Sequence, residues 1–290
     1  MTGNRRAAVL GHPIGHSLSP VLHRAAYRAL GLDWTYEAID VDRHELAGFV
    51  AGMDDSWAGL SLTAPLKQAI MPLLAATSAM ADQVGAVNTV VVQPGETPRL
   101  IGHNTDVLGI VHALSEVTAG VAAARSDPRR ALGSQRGLGI VGAGGTAAAA
   151  LVAARVMAAD RVVVAARRAE AARSLIDQVC GGWPTPPEVA TWGDLYEALA
   201  QPVVICTLPG DAAASLAEQV PNDPGTLLDV TYHPWPTTLA AAWSDRGGTV
   251  IAGHRMLLWQ AVAQVELMTG LPAPDEAMSE ALSLALAPSD

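Results

Sequence analysis

Lys67 is the only lysine among 18 lysine and arginine residues. Arginine holds its charge at any practical pH, whereas a desolvated or charge-crowded ammonium gives up its proton. The sequence has therefore kept a single lysine able to combine positive charge with proton transfer. Compositional bias with one surviving lysine is the bland alternative, and the neighbourhood must separate the two. Lys67 closes the segment Gly59-Leu60-Ser61-Leu62-Thr63-Ala64-Pro65-Leu66-Lys67, an apolar run that turns polar at its end. Val87-Asn88-Thr89 and Gly102-His103-Asn104-Thr105-Asp106 supply amide, hydroxyl and carboxylate groups at the ends of other apolar runs. Gly11 to Pro20 adds Ser17 and Ser19, whose hydroxyls and N–H groups suit a polyol or a carboxylate near a helix N-terminus. Capping of that helix by one serine, with Pro20 at its first position, is compatible with the same residues. His12 and His16 stand four apart, but Pro13 and Gly15 argue against a metal-binding helix, so the histidines read as structural and no metal is expected.

A second constellation is Gly142-Ala143-Gly144-Gly145-Thr146-Ala147, of the form G-x-G-x-x-A between an apolar strand and an Ala-rich helix. The first glycine permits a tight turn, and the second lets backbone approach a pyrophosphate. The small last residue lets helix and strand pack closely, while the helix N-terminus offers N–H groups and partial positive charge. Glycine turns also end strands for purely structural reasons; the strand–turn–helix context favours a dinucleotide. The next strand, Val162-Val163-Val164, runs into Ala165-Ala166-Arg167-Arg168, where a site for NAD would usually place a carboxylate. Two guanidinium groups suit a 2′-phosphate, so NADP is expected, against a plain solvated loop as the alternative.

Two α/β units are needed to position these groups. In the first, strands are expected at Ala7–Leu10, Thr35–Val41, Gly59–Thr63 and Val87–Gln93, with a turn at Gly95 to Pro98 leading to Leu100-Ile101. Helices are expected at Pro20–Leu30, at His44–Gly52 and from Leu66. Val107–Ala124 reads as one helix, and residues 125–136 as a polar connection. The second unit alternates strands at Leu138–Val141, Arg161–Ala165, Val203–Thr207, Leu227–Val230 and Thr249–Ile251 with helices, the pattern of a parallel sheet with right-handed crossovers. A long helix from Met256 to Thr269 follows and is expected to return to the first domain. Open α/β sheets bind ligands beyond their strands' carboxyl ends, so the polar loops converge on a cleft in this reading. The 290-residue length suits two domains, and a formal charge of −10 leaves no basic footprint for nucleic acid or anionic membrane. No stretch suits a membrane span or a signal-peptide core. Cys180 and Cys206 lack metal-ligand spacing, so reduced thiols and a cytoplasmic setting are expected.

The ordered motifs G-x-P-I-x-H-S-x-S-P, T-x-P-x-K, N-T-V, N-T-D-x-x-G, G-A-G-G, D-V-x-Y and Q-A run over nearly the whole chain. Together they resemble the shikimate dehydrogenase family. The resemblance implies an N-terminal α/β substrate domain, residues 1–105 with 254–290, and a Rossmann-type NADP-binding domain, residues 106–253, with the C-terminal helix returning to the former. It implies reversible NADPH-dependent reduction of 3-dehydroshikimate to shikimate, with a small molecule as the sole partner of a monomer or homodimer. By motif, Ser17 and Ser19 would hold the substrate carboxylate with Tyr232 nearby, while Thr63, Asn88, Asp106 and Gln260 would bind its hydroxyls. Gly142, Ala143, Gly144, Gly145, Thr146, Ala147, Arg167, Arg168, Thr207, Val230 and Gly253 would line the cofactor site. Lys67, paired with Asp106, would exchange a proton with the C3 oxygen.

Some positions depart from the family pattern. Ser61 replaces a usual asparagine, Ala166-Arg167-Arg168 replaces Asn-Arg-Thr, and Ala171 stands where a second arginine is common, a loss that Arg168 compensates in this reading. Cys206-Thr207-Leu208-Pro209-Gly210 varies the usual turn and keeps Thr207 as its matched residue. The nearest rival is a quinate or quinate/shikimate dehydrogenase using NAD, against which the two serines and the arginines argue. A silent ligand-sensing homologue would be expected to lose Lys67 or Asp106, and both are present.

Overall fold

The structure, a computed structural model, describes residues 3–95, 98–118 and 120–287. The chain divides into two compact units, Met1–Thr105 with Gln260–Asp290, and Asp106–Trp259. The second division falls inside the helix Gly253–Thr269.

The first unit carries β1 (Arg5–Gly11), β2 (Trp34–Asp40), β3 (Trp57–Leu62), β4 (Ala76–Thr77), β5 (Thr89–Gln93) and β6 (Arg99–His103), in the order β2-β1-β3-β5-β6-β4. β1 runs parallel to β2 and β3, whereas β5 is antiparallel to both β3 and β6. The ends of β1, β3 and β6 and the start of β5 therefore share one end of the sheet. Every residue of β3 is buried, as expected of a strand covered on both faces, which forces its one hydroxyl, Ser61, to find partners inside. The helix Ser19–Ala29 buries Ser19, Leu22, His23, Ala26 and Tyr27, spaced by three and four along one face.

The second unit holds β7 (Gly137–Val141), β8 (Arg161–Ala165), β9 (Glu188–Ala190), β10 (Val203–Cys206), β11 (Thr226–Asp229) and β12 (Thr249–Ala252). All pair in parallel in the order β12-β11-β10-β7-β8-β9. Counted within this unit, that is the doubly wound order 3-2-1-4-5-6, and the direction of winding reverses between β7 and β10. The helix Gly145–Val156 buries every residue from Ala147 to Ala154, an all-round burial that small side chains make feasible beside the sheet and the helix Asp106–Thr118. Below the sheet, Trp243 packs with Leu199, Leu216, Leu227 and Leu239.

Several expectations need correcting. Val107–Ala124 is not one helix: Asp106–Thr118 and Val121–Ser126 are separate, with Gly120 at φ +82° between them, a conformation that ends a helix. The strand expected from Val87 begins at Thr89, because the Val87 N–H is diverted to the carbonyl of Lys67, outside the sheet, while the Asn88 N–H still reaches His103 at the end of β6. The turn expected at Gly95 to Pro98 includes Glu96 and Thr97, which lie outside the described residues. The helices Ala79–Val84 and Asp275–Leu286 and the short strands β4 and β9 went unread. Among the described residues, no helix is long and apolar enough to cross a membrane.

Candidate active site

In the first unit, the polar groups gather where β1, β3 and β6 end and β5 begins. Thr63 leaves β3 with its N–H on the Leu10 carbonyl of β1 (3.0 Å), and its own carbonyl receives the N–H of Leu66 (2.8 Å). That turn starts the short helix Leu66–Ala69, which carries Lys67. The Lys67 carbonyl accepts from Val87 N–H (2.8 Å), so the lysine backbone is tied to the residue preceding Asn88.

Asn88 is fully buried, and its carboxamide is held from several sides. Its Oδ1 accepts from Thr105 N–H (2.8 Å) and the Thr89 hydroxyl (2.9 Å). Its Nδ2 donates to Gln260 Oε1 (2.9 Å) and Thr105 Oγ1 (3.0 Å). The structure therefore brings Asn88 and Gln260 together from positions far apart in sequence.

Ser17 and Ser19 follow β1. Ser17 Oγ accepts from Ser19 N–H (3.4 Å), while no side chain caps the helix at Leu18. The loop carrying them is fastened by Asp40 at the end of β2, which binds His12 Nδ1 (2.6 Å) and Ile14 N–H (3.2 Å). Asp40 raises the His12 pKa above its ordinary value, and the His12 partner lowers that of Asp40. Behind Ser19, the buried Tyr36 phenol donates to Ser61 Oγ (2.7 Å) and also bonds Ser19. Burial drives that phenol well above its usual pKa. The His23 ring stacks on Tyr36 with centroids 3.9 Å apart, and burial pushes its pKa down to about 4.

The second unit holds Asp106, Tyr232 and the whole glycine turn. Asp106 is buried, opens the helix Asp106–Thr118 and is joined in the chain to Thr105, the residue bonded to Asn88. Tyr232 follows β11 and has its pKa raised by burial. In the same segment Asp229 is buried and raised, and accepts from the Thr237 hydroxyl (2.6 Å) and Thr231 N–H (3.0 Å). Val230 bonds back to the Cys206 carbonyl through its N–H (3.1 Å), and Gly253 N–H reaches the Thr231 carbonyl (3.3 Å).

Between β7 and β10, where the winding reverses, Gly142 adopts φ +129°. A Cβ there would fall on Thr207 Oγ1, and that hydroxyl donates to the Val141 carbonyl (3.0 Å). Ala143 leads to Gly144, which opens the helix Gly145–Val156 and whose missing Cβ faces open space. No side chain caps this helix, so the N–H groups of its first turn, Gly145 and Thr146 included, remain suited to an anion. At the end of β8, Arg167 and Arg168 are exposed, and neither guanidinium has a partner among the described residues. An open helix N-terminus at the winding reversal, with unengaged guanidiniums after the second strand, fits a dinucleotide carrying an extra phosphate.

Comparisons with known proteins identify the family. Residues 9–90 match the model of the shikimate dehydrogenase substrate binding domain, and residues 253–282 match the shikimate 5'-dehydrogenase C-terminal domain. A shikimate dehydrogenase (NADP(+)) of Moorella thermoacetica is 36% identical, the alignment spanning 96% of this chain and 92% of that protein. The chain belongs to the shikimate dehydrogenase family. The crystal structure of Mycobacterium tuberculosis shikimate dehydrogenase superposes with a TM-score of 0.84 at 40% identity, over 97% of this chain and 99% of that one. A Thermus thermophilus shikimate 5-dehydrogenase solved with NADP(H) and shikimate gives a TM-score of 0.80 at 32% identity, covering 97% and 99%.

Ser61, where the shikimate dehydrogenase pattern has asparagine, lies in the interior, 3% exposed and bonded to Tyr36 and Gln264. Sequence reasoning passed over Tyr36 and Gln264, while the hydroxyls of Thr89 and Thr105, expected among the site's polar groups, bond Asn88. Gln264 had a legible signal, since it lies four residues after Gln260 on the same helix and so on the same face. Tyr36 gave none, being one more aromatic residue in an apolar strand.

Proposed function

We propose that the enzyme reversibly reduces the 3-keto group of 3-dehydroshikimate to shikimate with NADPH. The observation that carries this reading is the bond between buried Asn88, immediately before β5, and Gln260, in the unit that also carries the chain's only lysine. The open helix N-terminus after Gly144, with Arg167 and Arg168 following β8, the strand paired with β7, supports NADP. We assign substrate binding to residues 1–105 with 254–290, and cofactor binding to residues 106–253.

In this reading, Ser17 and Ser19 hold the substrate carboxylate, with Tyr232 beside it. Thr63, Asn88, Asp106 and Gln260 take the ring hydroxyls. The backbone from Gly142 to Ala147 receives the pyrophosphate, Arg167 and Arg168 the 2′-phosphate, and Thr207, Val230 and Gly253 complete the cofactor's walls. When bound, NADPH supplies the hydride. Negative charge then grows on the ketone oxygen, where the Lys67 ammonium stabilises it and delivers the proton that completes the alcohol. Arginine would match the charge but is a very poor acid near neutral pH. Asp106 accepts from a substrate hydroxyl and orients the ammonium. In the reverse direction Lys67 takes the same proton back. Its buried thiols, Cys180 and Cys206, suit a reducing cytoplasm, where a monomer or homodimer would suffice.

Mixing purified protein with shikimate and NADP and following reduced-nicotinamide absorbance tests the proposal. Turnover is expected with that pair, and far less with quinate or with NAD. Equal or faster rates with quinate and NAD would replace this substrate assignment, and ligand binding without any turnover would overturn the enzymatic one.

A further inference from the structure

Gln264 lies one helical turn beyond Gln260 and is 1% exposed, yet no role in the reaction proposed above falls to it. Its hydrogen bonds have a direction that can be read from the partners. Gln264 Nε2 faces the Asn88 backbone carbonyl (3.3 Å), which can only accept, so the nitrogen must sit on that side. The same nitrogen donates to Thr89 Oγ1 (3.1 Å), and the Thr89 proton goes to Asn88 Oδ1 (2.9 Å), the nearer of its two acceptors, Thr105 Oγ1 lying at 3.3 Å. On its other side, Gln264 Oε1 accepts the only proton of Ser61 (2.8 Å). The Ser61 oxygen is in turn available to accept from the Tyr36 phenol (2.7 Å), whose proton is held firmly by burial.

The bonds thus form one directed chain, from Tyr36 through Ser61 and Gln264 to Thr89 and Asn88. Its far end is the Asn88 Nδ2 bond to Gln260 Oε1, which commits the Gln260 oxygen and leaves its NH2 as the group offered to a ligand. Thr105 N–H pins the Asn88 oxygen independently, so the chain adds a second anchor to an amide already oriented.

We infer that Gln264 is a positioning residue, which, driven by Ser61 and Tyr36, holds the Asn88 amide against Gln260 so that Gln260 presents its N–H donors to a substrate hydroxyl oxygen. This rests on the substrate assignment above. It also gives Ser61 a purpose: a short hydroxyl both accepts from the phenol and donates to the glutamine. A hydroxyl bound this way must send its own proton to an acceptor, the part the proposed mechanism gives to Asp106.

The test compares Ser61→Ala, Ser61→Thr, Gln264→Met and the double variant Ser61→Ala/Gln264→Met in the intact enzyme. Loss of one neutral buried hydrogen bond corresponds to about a tenfold change. The KM for shikimate is expected to rise about tenfold in Ser61→Ala and Gln264→Met, with kcat changing less and the KM for NADP unmoved. Ser61→Thr restores the hydroxyl and most of the affinity, and the double variant loses little more than Gln264→Met alone, because both cut the same chain. An unchanged shikimate KM, or equal shifts in both KM values, would overturn the inference. Side-chain amide NMR separates it from the function itself: the Asn88 NH2 protons should exchange slowly with water in the wild type and markedly faster in Ser61→Ala. Should the wild type fail to oxidise shikimate while that exchange difference holds, the substrate assignment falls and the relay stands. Identical exchange in the two proteins refutes the relay, whatever the kinetics.

Discussion

Replacing Gly142 with alanine sets two costs against each other that a double variant can separate. The residue sits at φ +129°, where an L side chain carries backbone strain on the order of 1–3 kcal/mol. The added methyl would also land on Thr207 Oγ1 and lie 3.4 Å from Thr207 Cβ. Thr207 must then rotate and give up its hydroxyl bond to the Val141 carbonyl (3.0 Å), a loss of about 1 kcal/mol. Residual overpacking adds about 1–3 kcal/mol. Gly142→Ala should therefore destabilise by roughly 3–7 kcal/mol and weaken NADPH binding. Thr207→Ala alone removes the bond without strain and should cost only about 1 kcal/mol. In the double variant the methyl enters vacated space, so only the strain and the lost bond remain, and a coupling of about 2–4 kcal/mol is expected. Urea unfolding followed by tryptophan fluorescence measures the stability cycle, and quenching of NADPH fluorescence measures affinity. Additivity within about 0.5 kcal/mol would show that the two side chains do not compete for that space, and the account of Gly142 would fail.

Lys67→Arg and Lys67→Ala should each lower kcat by about 10²-fold or more while shikimate affinity changes less, as steady-state rates would reveal; near-normal turnover in Lys67→Arg would remove the proton-transfer role. Arg167→Ala and Arg168→Ala should each reduce kcat/KM for NADP by about tenfold or more and leave NAD kinetics nearly unchanged, since the lost bonds are charge-assisted. Buried His23 has its pKa lowered from 6.5 to about 4, so below pH 6.5 the unfolded chain takes up a proton that the folded chain refuses. Its contribution is a stability loss that develops as pH falls from 6.5 and levels off below about 4, on the order of 3 kcal/mol. His23→Phe keeps a ring against Tyr36 and should abolish that share of the pH dependence in urea unfolding at pH 7 and pH 4.5.

What could be read from sequence followed from groups whose chemistry is unusual for their surroundings. A single lysine, a glycine turn between strand and helix, and paired arginines after the next strand are conspicuous because each breaks a local rule of composition or geometry. The Ala-rich helix Gly145–Val156 was equally legible, as were the apolar strands of the parallel sheet. The elements that escaped were those whose stability comes from outside their own residues. β4 and β9 span Ala76–Thr77 and Glu188–Ala190, too short for any periodicity, and exist as edge strands because β6 and β8 offer open ladders. The helix Asp275–Leu286 lies against Ser19–Ala29, and its apolar spacing was masked by the alanines and serines around it. Gly120 looked like one more small residue in an Ala-rich stretch, until its positive φ separated two helices.

The two sheets also create their polar ends by different means, which explains why one was easier to read. In the parallel sheet, every strand delivers its end to the same edge, and a crevice opens where winding reverses between β7 and β10. A motif written immediately after a strand therefore identifies its own location. In the mixed sheet, β5 runs against β3 and β6, so its beginning joins the ends of its neighbours. Asn88 consequently precedes its strand, and its neighbours in space, Thr105 and Gln260, come from the end of a different strand and from a distant helix. Reversing one strand moves the informative residues from after the apolar run to before it. The partners of Asn88 then depend on pairings that no local pattern encodes, and the Tyr36–Ser61–Gln264 chain behind it is further removed still, joining β2, β3 and the helix Gly253–Thr269 through bonds between residues 25 and 203 positions apart. Individual residue types in that network carry little signal, because serine, threonine and glutamine acquire a direction only when each proton is assigned to one acceptor.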